Sequence, residues 1–116
     1  AVMAVGGAMQ AIDGIRFLPE APDAGSNGWL TCILIERDRL GVGPEDLRTH
    51  LERQNIEARP VWKPMHVQPV YRDCRVLGGV VAEDLFRRGL CLPSGSTLST
   101  ADQERVLDGL RAACRT

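Results

Sequence analysis

The sequence predicts an α+β fold, a two-layer sandwich with a small mixed or antiparallel sheet and about three helices. Three observations predict it. Short apolar, β-branched runs recur at 15–18, 29–36, 56–61 and 90–92, and amphipathic stretches with apolar residues three or four apart lie among them. The resulting order is β-β-α-β-loop-α-β-α, which suits an open sheet covered by helices. A chain of 116 residues is enough for one such domain.

The elements follow in order. Residues 1–14 are small and glycine-rich, and Gly6-Gly7 costs a helix about 1 kcal/mol per glycine. They are expected to be a loose N-terminal arm, or the remnant of a larger element, ahead of a domain at 15–116. Gly14 to Pro19 reads as a short strand ended by proline. Trp29 to Glu36 is the strongest strand, apolar throughout, and is predicted to be central and covered on both faces. Arg37 to Val42 is expected to be a loop. Pro44 opens a helix with Glu45 and Asp46 in its first turn, Leu47 and Leu51 as its buried stripe, and Asn55 just past its end. Ile56 to Val61 is the next strand, and Arg72 to Gly79 an irregular connector. Val81 to Arg88 forms a helix that buries Leu85 and Phe86 and stops at Gly89. Leu90 to Pro93 is a short buried strand. Thr100 is predicted to cap the last helix, with Gln103 completing a capping box. That helix places Val106, Leu107, Leu110 and Ala113 on its apolar face.

Composition excludes several classes. A net charge of −1 argues against nucleic-acid binding through phosphate neutralisation. The longest apolar run is far too short to cross a bilayer, and the N-terminal stretch lacks the basic start of a signal peptide. Cys32, Cys74, Cys91 and Cys114 form no CxxC pair, and with only two histidines there is no zinc pattern. Cys32 and Cys91 lie in strand-like runs, where cysteine acts as a small hydrophobe. A reduced, cytoplasmic protein is expected.

Residues 59–71, Arg-Pro-Val-Trp-Lys-Pro-Met-His-Val-Gln-Pro-Val-Tyr, organise the rest. Pro60, Pro64 and Pro69 fix their own φ and push the preceding residues toward extended geometry, so the segment should be a stiff, extended loop that no α-helix crosses. It carries Trp62, Lys63, Met65, His66, Gln68 and Tyr71, residues suited to ligand contact on a positioned loop. The competing reading is a proline-rich connector whose aromatics cover a core edge.

Five pieces in series resemble the C-terminal small domain of the DegT/DnrJ/EryC1/StrS aminotransferases: Trp29 to Cys32, Arg59 to His66, Ala82 to Phe86, Leu90 to Gly95, and Asp102 to Val106. Together they cover residues 12–113. The resemblance implies the small-domain fold of fold-type I pyridoxal phosphate enzymes. It implies an activity in which an amino group passes from a donor such as glutamate, through pyridoxal 5'-phosphate, to a nucleotide-linked keto-sugar for polysaccharide or glycan biosynthesis. The cofactor belongs to a large domain, and the Schiff-base lysine with it. Lys63, the only lysine, does not occupy that position. The chain alone should therefore lack activity and cofactor, with the large domain and a second copy as partners.

On the same resemblance, Trp62 offers an aromatic face to a sugar or base. His66 offers a hydrogen bond to a hydroxyl or phosphate, and Lys63 a charge near a diphosphate. Met65, Gln68 and Tyr71 complete the wall. The opposing expectation has Trp62 and Tyr71 packing on the missing domain and His66 capping backbone. His50 is read as a surface residue, Glu83 and Asp84 as acids explained by the helix dipole, and Ser94 as turn chemistry. Two other readings compete: a non-catalytic binding or dimerisation module of the same fold, and a small secreted disulfide domain.

Overall fold

The computed structural model describes residues 7–114. Residues 7–10 are helical (α1), followed by β1 (Ile15–Phe17), β2 (Thr31–Ile35), α2 (Arg37–Leu40), α3 (Pro44–Glu52) and β3 (Arg59–Pro60). Two single 3-10 turns, Met65–Val67 and Pro69–Tyr71, then lead to α4 (Val80–Arg88), β4 (Gly89–Leu92) and α5 (Thr100–Ala113). The four strands form one sheet in the order β1-β2-β4-β3, with every pair antiparallel. This is the expected α+β layering, with five helices among the described residues rather than three.

The core lies on one face of the sheet. Strand alternation turns Ile33 and Ile35 of β2, with Leu90 and Leu92 of β4, toward Leu47 and Leu51 of α3 and Val106, Leu107, Leu110 and Ala113 of α5. The helices meet closely at Gly109, where a Cβ would stand 2.8 Å from Leu51 Cδ2. Pro44 stands at the first helical position of α3, and the Gly43 N–H donates to Asp46 Oδ2 at 2.9 Å. Asn55 has φ 58°, the left-handed backbone expected just past that helix. On α4 the Asp84 carboxyl is held below the usual range by the Arg88 and Arg87 guanidinia.

Several expectations are corrected. Met9 is buried in the core and residues 7–10 are helical, so these residues are packed rather than loose; residues 1–6 lie outside the described residues. The stretch after β2 holds one helical turn, because Leu40 is buried and Gly41, at φ 84°, closes the turn onto the Arg37 carbonyl. The β3 strand is only two residues long. The Ile56 N–H is taken by the Leu51 carbonyl (3.0 Å), which ties that residue to the end of α3, and Pro60 has no N–H to give. Pairing of β2 begins at Thr31, whose N–H donates to Ser94 Oγ at 2.7 Å; Trp29 is exposed rather than part of the strand. Leu85 and Phe86 are half-buried. The cap of α5 is Ser99: its hydroxyl accepts from the Asp102 N–H (3.1 Å) and Asp102 accepts from the Ser99 N–H (3.0 Å), one residue ahead of the predicted pair.

A loop pinned to a helix as candidate functional site

The organising loop leaves β3 at Pro60 and returns at α4. Its extended geometry is interrupted by the two 3-10 turns, each beginning next to a proline: Pro64 precedes the first and Pro69 opens the second. Proline's fixed φ suits the first position of such a turn, so the same residues that forbid an α-helix favour these short pieces.

His66 sits at the centre. Its Nε2 is 2.6 Å from Glu83 Oε1, so the proton lies on Nε2 and the carboxylate accepts it. The side chain is 19% exposed. Its ring lies against Gly79, where a Cβ would come within 2.8 Å of Cε1 and 2.9 Å of Nε2. Gly79 also has φ 105°, backbone that an L side chain rarely adopts. Glycine is thus required there twice over, for the turn and for the ring. Nδ1 makes no hydrogen bond among the described residues.

The remaining loop residues divide into two groups. Trp62 (64% exposed) and Met65 (58%) face solvent, and Lys63 is exposed without an ion pair among the described residues. Gln68 is half-buried and folds inward: its Nε2 donates to the Lys63 carbonyl at 3.1 Å, with Met65 Sδ at 3.7 Å. Tyr71 is half-buried. The loop therefore brings Trp62, Lys63, Met65 and His66 to one short segment, while Gln68 braces it. A cleft of about 380 Å³ lies at the start of the loop, lined in part by Arg37, Asp46, Pro60, Phe86 and Arg87, and none of the six loop candidates lines it.

Three participants were missed. Trp29 meets Trp62 with ring centroids 6.0 Å apart and planes tilted by 43°, a separation within the favourable range for aromatic pairs. Sequence pattern had placed Trp29 in the strand. Glu83 was attributed to the helix dipole, whereas it also holds His66. Gly79 carried one legible signal, its place in a Gly-Gly pair just before a helix. Ser94 is structural as expected, since its hydroxyl donates to the Leu92 carbonyl at 3.0 Å while accepting from Thr31. Among the described residues no group of histidines, cysteines and acids could hold a metal ion, and no helix is long and apolar enough to cross a membrane.

The architecture is that of an aminotransferase lobe. The solved structure of DesV from S. venezuelae, in complex with a ketimine intermediate, superposes with a TM-score of 0.77 at 28% identity, covering 99% of this chain and 30% of that one. The chain belongs to the DegT/DnrJ/EryC1/StrS aminotransferase family, whose model matches residues 4–111. EpsN of Bacillus subtilis (strain 168), named as a pyridoxal phosphate-dependent aminotransferase, is 43% identical over 107 residues, 89% of this chain and 27% of EpsN. The GDP-perosamine synthase of Escherichia coli O157:H7 is 39% identical over 80 residues, 69% of this chain and 21% of that enzyme. The chain thus spans about a quarter of the length of these relatives.

Proposed function

We propose that the chain is the C-terminal small domain of a cytoplasmic, pyridoxal phosphate-dependent aminotransferase. The whole protein aminates a nucleotide-linked keto-sugar with a donor such as glutamate and works as a homodimer. The observation that carries this reading is the 43% identity to EpsN over nearly the whole chain. Pyridoxal phosphate supplies the amino-transfer chemistry when bound. The residues described here do not fit it: Lys63 is exposed, without the desolvation that activates a Schiff-base amine. No step is therefore assigned to this chain beyond binding and orientation.

In that role Trp62 stacks on the sugar or base, Lys63 sits by the diphosphate as a point charge, and His66 hydrogen-bonds the substrate through Nδ1 while Glu83 holds its other nitrogen. Met65, Gln68 and Tyr71 shape the wall. In the full-length enzyme, Trp62→Ala should raise KM for the nucleotide-sugar about tenfold, equivalent to about 1.4 kcal/mol, while the reaction with the amino donor alone is unchanged. Equal loss in both halves, or in neither, would count against the loop as substrate wall.

A second reading, a docking or dimerisation surface, is favoured by a run of exposed apolar residues beside the loop: Val70, Val76, Leu77, Val80 and Val81. Exposed apolar residues in this number mark an interface where they join into one patch. The two readings are compatible in a domain that both closes on substrate and packs on a partner. Sedimentation of the isolated chain tests the second; a monodisperse monomer at high concentration would remove its support.

A further inference from the structure

Cys32 and Cys91, separated widely in sequence, are register partners across β2 and β4. Their sulfurs stand 3.5 Å apart in a thiol–thiol hydrogen bond. Directly opposed residues in an antiparallel pair have Cα atoms about 4.5–5.5 Å apart, inside the span of about 4.4–6.8 Å that a disulfide bridges. Alternation places both side chains on the sheet face away from Ile33, Ile35, Leu90 and Leu92, and neither belongs to that core cluster. The two thiols also differ in access. Cys32 is half-buried and Cys91 is 7% exposed. Burial, followed by the hydrogen bond from its partner, pushes the Cys91 thiol up to about 12. Cys32 is therefore the thiol that an external reagent meets first. Cys74 stands on the exposed connector, and Cys114 donates to the Leu110 carbonyl at 3.0 Å at the end of α5.

We propose that Cys32 and Cys91 are a dithiol modification site at which a low-molecular-weight disulfide installs a cross-strand bond. The Cys32 thiolate attacks one sulfur of RSSR and expels RS⁻, leaving Cys32 in a mixed disulfide. Cys91 then gives its proton to solvent, its sulfur attacks that of Cys32, and the second RS⁻ leaves. The dithiol loses two electrons and two protons, and RSSR gains them as two RSH. The new bond closes a loop containing α2, α3, β3, the organising segment and α4, so it restrains the unfolded chain over that span.

The test uses glutathione disulfide on the full chain under native conditions, with remaining thiols then alkylated by iodoacetamide and peptides mapped by mass spectrometry. The expected product joins the Cys32 and Cys91 peptides with loss of two hydrogens, leaves Cys74 alkylated or carrying glutathione, and unfolds at a higher temperature until dithiothreitol restores the original midpoint. Cys91→Ser should strand Cys32 in its mixed disulfide with glutathione. Should that variant unfold, the mapping of the unchanged chain decides alone. Recovery of Cys32 and Cys91 as alkylated thiols after equilibration with excess glutathione disulfide, or their linkage to Cys74 or Cys114 instead, overturns the proposal.

Discussion

Replacing Gly79 with alanine tests whether the fit between His66 and the entry to α4 fixes the loop. Two costs fall on this one change. Gly79 has φ 105° and ψ −17°, well outside the left-handed basin near φ +57° that L-residues sometimes enter. Holding a non-glycine residue in such backbone costs on the order of 1–3 kcal/mol. The added Cβ would also lie 2.8 Å from His66 Cε1, so the ring must move and its 2.6 Å hydrogen bond to Glu83 lengthens or breaks. Glu83 is more than half exposed, so that bond adds no more than about 1 kcal/mol. The expected total is about 1–4 kcal/mol, a large share of the roughly 5–15 kcal/mol that holds a small domain together.

Gly78→Ala separates the two costs. Gly78 has φ 73° and nothing within 4 Å of its would-be Cβ, so alanine there meets backbone strain of about 1–2 kcal/mol and no clash. Urea unfolding of both variants, followed by circular dichroism, should place Gly79→Ala below Gly78→Ala by about 1 kcal/mol. Ring signals of His66 in NMR spectra should shift only in the former. Equal destabilisation of the two variants with an unmoved His66 ring would refute the claim that ring contact shapes this turn.

Two further outcomes follow from the core and the caps. Leu51→Ala removes a side chain with no exposed surface at the α3–α5 contact, and it should cost about 2–5 kcal/mol in the same urea assay; a loss below 1 kcal/mol would mean that the helices close over the gap. Ser99→Ala should cost about 1 kcal/mol at neutral pH. The Ser99 hydroxyl, and then its N–H, hold the Asp102 carboxyl below the usual range. A depressed folded value means that this stabilisation is present while the carboxylate is ionised and is lost as pH falls through that value. The gap between the original chain and Ser99→Ala should therefore narrow in acid, and a gap independent of pH would disconnect Asp102 from the cap.

Helices α3 and α5 were legible because each writes its buried face into its own sequence. Leu47 and Leu51 are one turn apart, as are Val106 and Leu110, and all are buried. Strand ends were not legible, because a strand stops where its partner's ladder stops. Thr31 ends β2 by giving its N–H to Ser94, 63 residues away, and no local pattern in Trp29 to Glu36 encodes that hand-over. The single turn of α2 escaped for a different reason: with one buried residue, Leu40, it has no periodicity to read, and only Gly41 marks its close. The shift of the α5 cap from Thr100 to Ser99 reflects similar cap propensities at adjacent positions, with Asp102 three residues after Ser99 closing the box where Gln103 after Thr100 does not.

The loop shows the same division between composition and shape. Its composition was legible in the sequence, since Trp62, Lys63 and His66 crowd one proline-rich segment. Its anchoring was not, because Glu83 lies 17 residues beyond His66 and already has a sufficient local explanation at the start of α4. One carboxylate serves both purposes, and that double use constrains the site. A loop held only by its prolines would lose side-chain and backbone freedom on meeting a ligand, at about 0.5–1.5 kcal/mol for each long side chain immobilised. Here the His66–Glu83 bond, the Gly79 contact and the Gln68 brace fix the backbone beforehand, leaving Trp62, Lys63 and Met65 as the groups still to be ordered. Under the proposed role of the loop as substrate wall, substitutions at Gly79 or Glu83 should weaken binding by loosening the presentation of residues they do not touch, whereas Trp62→Ala removes a contact and leaves the loop's shape intact.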